Sequence, residues 1–266
     1  MMRDMTVSVV RAFGVTDVGS VRDANEDAFT MAELSKPQRW KGGAEAKWPA
    51  TEGGVLLAVS DGMGGAKAGE VASTLAVEAV LGGMLAAVRE RERPADGETL
   101  RRVIEQASDQ EHEAGKRPDR KGMGATMTAV LVNGVTAYVA QIGDSRAYLL
   151  RGGKIGQVTH DQSYVQMLVD AGLMTREEAE SSPRKNIILQ VMGQEEVSVA
   201  LGRLTLKSGD RLLLCSDGLT NVVDDATINA IARPPGDLQK ASTALVTLTK
   251  EGGAPDNVTV IIAEVA

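Results

Sequence analysis

The chain is poor in the side chains that most often carry redox, zinc or nucleophilic chemistry. Among 266 residues there is one cysteine and two histidines, and aromatic residues make up 3%. A lone Cys215 excludes an intrachain disulfide, which suits the cytoplasm. In Leu212-Leu213-Leu214-Cys215 it reads as a core residue rather than a nucleophile. No long basic run occurs and the net charge is −7, which argues against nucleic acid as the main partner. No stretch of about 18 apolar residues predicts a membrane span. Met1-Met2-Arg3-Asp4-Met5 lacks the apolar core of a signal peptide, so the expected location is cytoplasmic. With aromatics scarce, the core must be built from Val, Leu, Ile, Ala and Met.

The material for such a core is present. An apolar share of 43% against 24% charged residues is that of an ordinary globular protein, and we read one domain over 1–266. Apolar runs predict strands near Val7–Val15, Asp27–Leu34, Gly54–Ser60, Ala125–Val132 and Val135–Ile142. Further strands are expected near Arg146–Arg151, Lys154–Thr159, Val197–Leu201, Asp210–Ser216 and Asn257–Val265. Asn133-Gly134 and Gly152-Gly153 are hairpin signals, so the sheets should be largely antiparallel. One helical face runs through Val71, Leu75, Leu81, Met84, Leu85 and Val88, and a second through Leu100, Val103, Ile104 and Ala107. A late helix spans about Leu238 to Lys250 and closes at Gly252-Gly253. Helices interleaved with antiparallel sheets predict an α+β sandwich, two sheets in the middle and helices outside. Two segments look inserted. Lys36–Gly53, with Trp40 and Trp48, reads as a long hairpin loop on the surface, its tryptophans hinting at a contact surface, and Asp161–Met192 as a lid or flap.

Four carboxylates mark strand ends: Asp27 after Asn25-Glu26, Asp61 before Gly62-Met63-Gly64-Gly65, Asp217 before Gly218, and Asp256 before Asn257-Val258. Acids gathered at one place repel unless cations neutralise them. Hard oxygen ligands without a His or Cys cluster point to Mg²⁺ or Mn²⁺ rather than Zn²⁺. Acids elsewhere have simpler readings. Asp96 and Asp224 precede helical patterns and read as caps, and Asp23 as a turn residue.

Taken in order, Gly19-Ser20-Val21-Arg22-Asp23-Ala24-Asn25-Glu26-Asp27, Asp61-Gly62-Met63-Gly64-Gly65, Gly122-Met123-Gly124-Ala125-Thr126, Gly143-Asp144-Ser145-Arg146-Ala147-Tyr148, Ser216-Asp217-Gly218 and Asp256-Asn257-Val258-Thr259 span nearly the whole chain. They resemble the metal-dependent serine/threonine protein phosphatases of type 2C, in their compact bacterial branch. The resemblance implies a four-layer α-β-β-α sandwich. It also implies that Asp61 bridges two Mn²⁺ or Mg²⁺ ions, that the Gly62 carbonyl completes one, and that Asp217 and Asp256 hold the other. Glu26 and Asp27 would orient metal-bound waters, Asp144 with Asp217 would support a third ion, and Arg22 would grip the substrate phosphate.

The implied reaction is hydrolysis of phosphoserine and phosphothreonine by a metal-bridged water, without a phosphoenzyme. Arginine suits the phosphate because its planar fork meets two oxygens, which lysine cannot do; the alternative for Arg22 is a surface pair with Glu26. Met63 stands where many eukaryotic members carry a histidine, so a metal-bound water is the expected proton donor. Of the two histidines, His112 reads as a solvated surface residue and His160 precedes the flap. Gln162 occupies a flap position that is often histidine. Thr126 and Ser145 are expected to cap backbone near the site. By analogy the partners are phosphorylated proteins, among them an opposing Hanks-type Ser/Thr kinase and its targets. Two other readings stay open: a catalytically silent metal-binding signalling module, and a small-molecule phosphoesterase.

Overall fold

A computed structural model of the chain describes residues 7–36, 38–40, 42–50, 53–64, 68–90 and 95–266. The Met1–Met5 segment, Pro37 and Gly65 lie outside them. In chain order the elements are β1 (Val9–Asp17), β2 (Asp27–Glu33), β3 (Gln38–Arg39), β4 (Ala46–Pro49), β5 (Val55–Met63), α1 (Ala68–Glu90) and α2 (Gly97–Gly115). There follow β6 (Gly124–Ala125), β7 (Met127–Asn133), β8 (Thr136–Ile142), β9 (Arg146–Arg151), β10 (Lys154–Gln157), α3 (Tyr164–Asp170) and α4 (Arg176–Glu180). The last are β11 (Ala200–Thr205), β12 (Arg211–Cys215), α5 (Asp217–Thr220), α6 (Asp225–Ala232), α7 (Leu238–Glu251) and β13 (Val258–Val265).

The strands form two sheets, ordered β10-β9-β12-β13-β1-β4 and β11-β8-β7-β5-β2-β3, with β6 paired to β5. Every paired neighbour among the described strands is antiparallel. Why the central strands read as unbroken apolar runs is now plain. Leu57 and Val59 of β5, Leu212 and Leu214 of β12, and Ile261 and Ala263 of β13 pack between the sheets. Their neighbours point the other way. Leu56 and Ala58 meet the helices α1 and α2, while Leu213, Cys215, Val260 and Ile262 meet α6 and α7. A strand buried on both faces cannot alternate polar and apolar residues. The result is the expected α-β-β-α sandwich.

α1 is long and apolar enough to cross a membrane by composition. Its apolar side is spent on the protein instead: Ala72, Ala76, Val80 and Met84 are buried against α2 and the β5 sheet. Asp96 and Asp224 cap α2 and α6 through the N–H groups of Thr99 and Thr227.

Three expectations are corrected. Within 36–53 the described residues form β3 and β4, so the segment is not all loop, although residues 42–44 and Lys47 stay exposed. Ala46 and Trp48 alternate inward from β4, which pairs with β1, and Trp48 is 6% exposed. Trp40 stacks edge-on to Phe13 at 5.4 Å and donates to the Ala44 carbonyl, so neither indole offers a contact surface. Large rings bury more apolar area than any other side chain, and a core short of aromatics recruits them even from an excursion. β11 begins three residues later than its apolar alternation indicates, because Val197 and Val199 pack on the helical side before pairing with β8 starts at Ala200. The β7–β8 turn is Gly134-Val135, one residue beyond the Asn-Gly signal, since Asn133 still pairs with Thr136.

Trp48→Ala should lower the unfolding free energy by about 3–5 kcal/mol. Urea denaturation measures it; a loss under about 1 kcal/mol would return this segment to the surface.

Candidate metal centre

The acids meet where ends of the two sheets come together. Asp27 opens β2 and lies directly across from Asp61 on β5. From the other sheet, Ser216 ends the β12 run, Asp217 begins α5, and Asp256 precedes β13. Asp144 sits in the turn between β8 and β9, after Gly143 at φ +98°.

Asp27, Asp61 and Asp217 are held by hydroxyl, backbone and amide groups, whereas Asp256 pairs with an arginine. Ser216 Oγ and Thr259 Oγ1 both donate to Asp27 Oδ2 at 2.7 Å, tying one sheet to the other. Thr126 accepts from the Asp61 N–H through Oγ1 at 2.9 Å, and its own N–H donates to the Asp61 carbonyl at 2.8 Å. Ser145 Oγ lies 2.8 Å from Thr126 Oγ1. The Asp61 N–H thus goes to the Thr126 hydroxyl rather than to a backbone carbonyl, which interrupts the ladder and separates β6 from β7 where one strand was expected. Asn221 Nδ2 donates to Asp217 Oδ2.

Asn257 holds the loop that carries Arg22. Its Nδ2 donates to the carbonyls of Val18 and Ala24, and its Oδ1 accepts from the Glu26 N–H, all within 2.9 Å. Arg22, half exposed, donates to Asp256 Oδ2 at 2.7 Å, a different carboxylate from the Glu26 considered above. Gly19 must be glycine here: at φ +80° a Cβ would lie 2.2 Å from the Asp256 carbonyl oxygen. Gly62 is equally constrained, since a Cβ would sit 2.0 Å from the Gly69 carbonyl oxygen. The missing side chain lets α1 approach, and Gly69, where a Cβ would lie 2.7 Å from the Glu26 carboxyl, leaves room for that acid.

Electrostatics define what the cluster needs. Burial, with repulsion from Asp217 and Asp256, pushes the Asp27 carboxyl up to about 7. Burial and Asp217 push Asp144 up to about 8. Asp61 and Asp217 are raised by burial and by their acidic neighbours, while Lys185 from the 161–192 segment eases Asp217. Glu26 is raised too, mainly by burial. One oxygen each of Asp27, Asp144 and Asp217 is buried without a hydrogen bond. Unsatisfied buried carboxylate oxygens aimed at one region are the donor set of a hard cation.

Among the described residues, no three His, Cys, Asp or Glu side chains form a ready-made cage for one ion. Mg²⁺ and Mn²⁺ keep several waters and take only one or two carboxylates plus carbonyls. The residues therefore fit divalent cations of that class, with Asp61, Asp217, Asp256, Asp27, Asp144 and the Gly62 carbonyl available to hold them. A groove of about 800 Å³ beside Lys240, Ala244 and Leu248 of α7 is lined by none of these acids.

Neither histidine reaches the acids. His160 Nε2 lies 2.7 Å from Asp170 on α3. His112, expected on the surface, is half buried and donates from Nδ1 to the Gly193 carbonyl at 3.0 Å. Gln162 anchors the flap base: its amide oxygen accepts from Gly143 N–H and its own N–H donates to the Gly143 carbonyl. Ser216, Thr259, Asn221 and Asn257 carried no assigned role in the sequence, although all but Asn221 lie in the quoted motifs beside an acid.

Fold and centre together define a four-layer α-β-β-α sandwich with a candidate site for divalent cations between its sheets. The protein phosphatase 2C family model matches residues 44–249, and the chain belongs to that family. It is 40% identical over 220 residues to the serine/threonine protein phosphatase PstP of Mycobacterium tuberculosis, covering 80% of this chain and 41% of PstP. The chain thus spans less than half the length of that relative. Protein phosphatase PhpP of Streptococcus pneumoniae is 34% identical over 253 residues, 93% of this chain and 94% of PhpP. A crystal structure of the PstP catalytic domain in complex with two manganese ions superposes with a TM-score of 0.78 at 36% identity, covering 97% of this chain and 99% of that one.

Because Asp27 and Asp144 hold protons near neutrality, a cation must displace them to bind. Affinity for Mg²⁺ should therefore rise between pH 6 and 8, with net proton release on binding. Calorimetry at pH 6.5 in two buffers of different ionisation enthalpy reads that release directly. Equal heats in both buffers would mean the acids are already ionised.

Proposed function

We propose that the chain is a phosphoprotein phosphatase that hydrolyses phosphoserine and phosphothreonine with Mn²⁺ or Mg²⁺. The observation that carries this reading is a half-exposed arginine beside buried carboxylate oxygens that lack partners. An anion receptor next to a cation receptor is what a phosphate monoester requires. PstP and PhpP, both phosphatases by name, and the two manganese ions of the PstP structure support it.

On this reading Asp61, the Gly62 carbonyl, Asp217 and Asp256 would hold two ions, Asp27 and Glu26 would orient water, and Asp144 with Asp217 would support a third ion. When bound, such cations supply an acidified water and neutralise charge at phosphorus. The chain's own task is placement. Arg22 pairs with Asp256, and a cation held there would compete for that carboxylate and leave the guanidinium to turn its fork to two phosphate oxygens. Ser216 and Thr259 keep Asp27 aimed inward, and Asn257 fixes the loop on which Arg22 rides.

The whole chain, 1–266, acts as one phosphatase unit in this proposal, with 161–192 as the flap over the site. The flap base is pinned through Gln162 to the turn carrying Asp144, so its movement is felt at that acid. The buried lone thiol supports a cytoplasmic setting. An opposing Hanks-type Ser/Thr kinase and its targets are the proposed partners, by family analogy.

Phosphate release from a phosphothreonine peptide should require Mn²⁺ or Mg²⁺, stop in EDTA and fall ~100-fold or more in Asp217→Asn. Arg22→Lys should raise KM about tenfold while leaving metal affinity unchanged, since it keeps the charge and loses the fork. A folded, metal-loaded chain that is inactive on several phosphopeptides would favour the silent module or the small-molecule esterase.

A further inference from the structure

The apolar stripe of α2 runs through Leu100, Ile104 and Ala107, and the next position on that stripe is an acid. Glu111 is 0% exposed, and neither of its carboxylate oxygens has a hydrogen-bond partner. Ser108 lies three residues before Glu111 and four before His112, offsets that make it a neighbour of each on the helix surface. All three converge on Gly193. Ser108 Oγ accepts from the Gly193 N–H at 3.0 Å, and His112 Nδ1 donates to its carbonyl at 3.0 Å. A Cβ on Gly193 would sit 3.3 Å from Glu111 Cγ, so the glycine lies directly over the acid at φ +86°.

Gly193 is where the 161–192 segment rejoins the sandwich. The Met192 N–H donates to the Ala125 carbonyl at 2.8 Å, and Ala125 pairs with Gly62 of the metal centre. The charged and titratable side chains on the neighbouring stretches are His112 and Glu113 on α2, Arg120 and Lys121 before Met123, and Glu195 and Glu196 after Gly193. None makes a hydrogen bond or ion pair with Glu111. α1 faces α2 with alanine, valine, leucine and methionine. Burial alone pushes the Glu111 carboxyl up to about 8. A neutral acid can lie under Gly193; an ionised one has lost its water with no cation or donor in return.

We propose that Glu111 is a positioning residue acting as a pH latch: protonated, it packs beneath Gly193 and fixes the flap exit, and ionised, it leaves and loosens that exit. Its effect on turnover, passed through Met192 and Ala125 to Gly62, rests on the phosphatase reading. The latch itself does not. The sign follows from the two states of the chain. Unfolded Glu111 releases its proton near the ordinary 4.5, and the folded residue keeps it to about 8. The stability it allows is complete below 4.5, declines as pH rises and is lost by about 8.

The test uses the full Mg²⁺-loaded chain and the variants Glu111→Gln and Glu111→Met, from pH 5 to 9. Amide exchange at residues 187–193, corrected for intrinsic rates, is read beside Tm and kcat/KM on a phosphothreonine peptide. In the wild type, protection of the flap exit and kcat/KM should both fall through about pH 8, whereas both variants, unable to ionise, keep them. Their Tm advantage should grow from pH 5 to 8 and then level off. The same alkaline loss of protection in all three proteins, with a Tm difference independent of pH, overturns the latch. The predicted exchange pattern in a protein with no turnover keeps the latch and sinks the phosphatase reading. If Glu111→Gln fails to fold, Glu111→Met, which carries no buried polar atom, decides alone.

Discussion

Like-charge repulsion among buried carboxylates sets the terms for the rest of this molecule. Asp27 and Asp61 face each other on adjacent strands, a cross-strand pairing that is unfavourable for two negative charges. Asp217 and Asp256 come in from the other sheet and add to it. Without cations the group can persist only by holding protons, and that is the direction in which burial and mutual repulsion drive Asp27, Asp61, Asp144 and Asp217. The stability for this comes from the apolar layers beneath, which are buried on both faces of both sheets.

The sandwich is also the ruler that spaces the acids. Ser216 belongs to one sheet's strand end and Asp27 to the other's, and the 2.7 Å bond between them fixes the gap at the site. Thr259 makes the second bond to the same oxygen, leaving the other oxygen of Asp27 free. A carboxylate satisfied on one side and empty on the other is a directed ligand. Thr126 does the same for the Asp61 backbone, and Asn257 for the Arg22 loop. Neutral hydroxyl and amide groups perform these tasks, whereas Asp256 alone among these acids is paired with a cationic side chain, Arg22.

The layers and the acids were legible in the sequence for one reason: each leaves a local mark. Buried strands leave apolar runs, and a site acid at a strand end is followed by glycine or asparagine, as in Asp61-Gly62 and Asp256-Asn257. What supports the acids leaves none, since Ser216 and Thr259 reach Asp27 across separations of 189 and 232 residues. The 36–53 segment misled because its Gly and Pro content outweighed a four-residue alternation around Trp48. Glu111 was legible in principle. It continues the spacing of Leu100, Ile104 and Ala107, yet a polar letter on an apolar stripe is easily taken for the start of a solvated face.

On the phosphatase reading, the placement of Met63 bears on how the leaving group would be protonated. Residue 63 is the last of β5 and pairs with Gly124, and its side chain shares space with Val191 near the flap exit. No imidazole takes its place from elsewhere, because His160 is engaged by Asp170 and His112 by Gly193. Lys185 is felt at Asp217, where an ammonium serves best as a fixed positive charge. Tyr148 is fully buried, and its hydroxyl is pushed far up by that burial, so it too is no donor. With Arg22 half exposed the centre is open to solvent, and water is the one proton source that the surrounding side chains neither replace nor exclude.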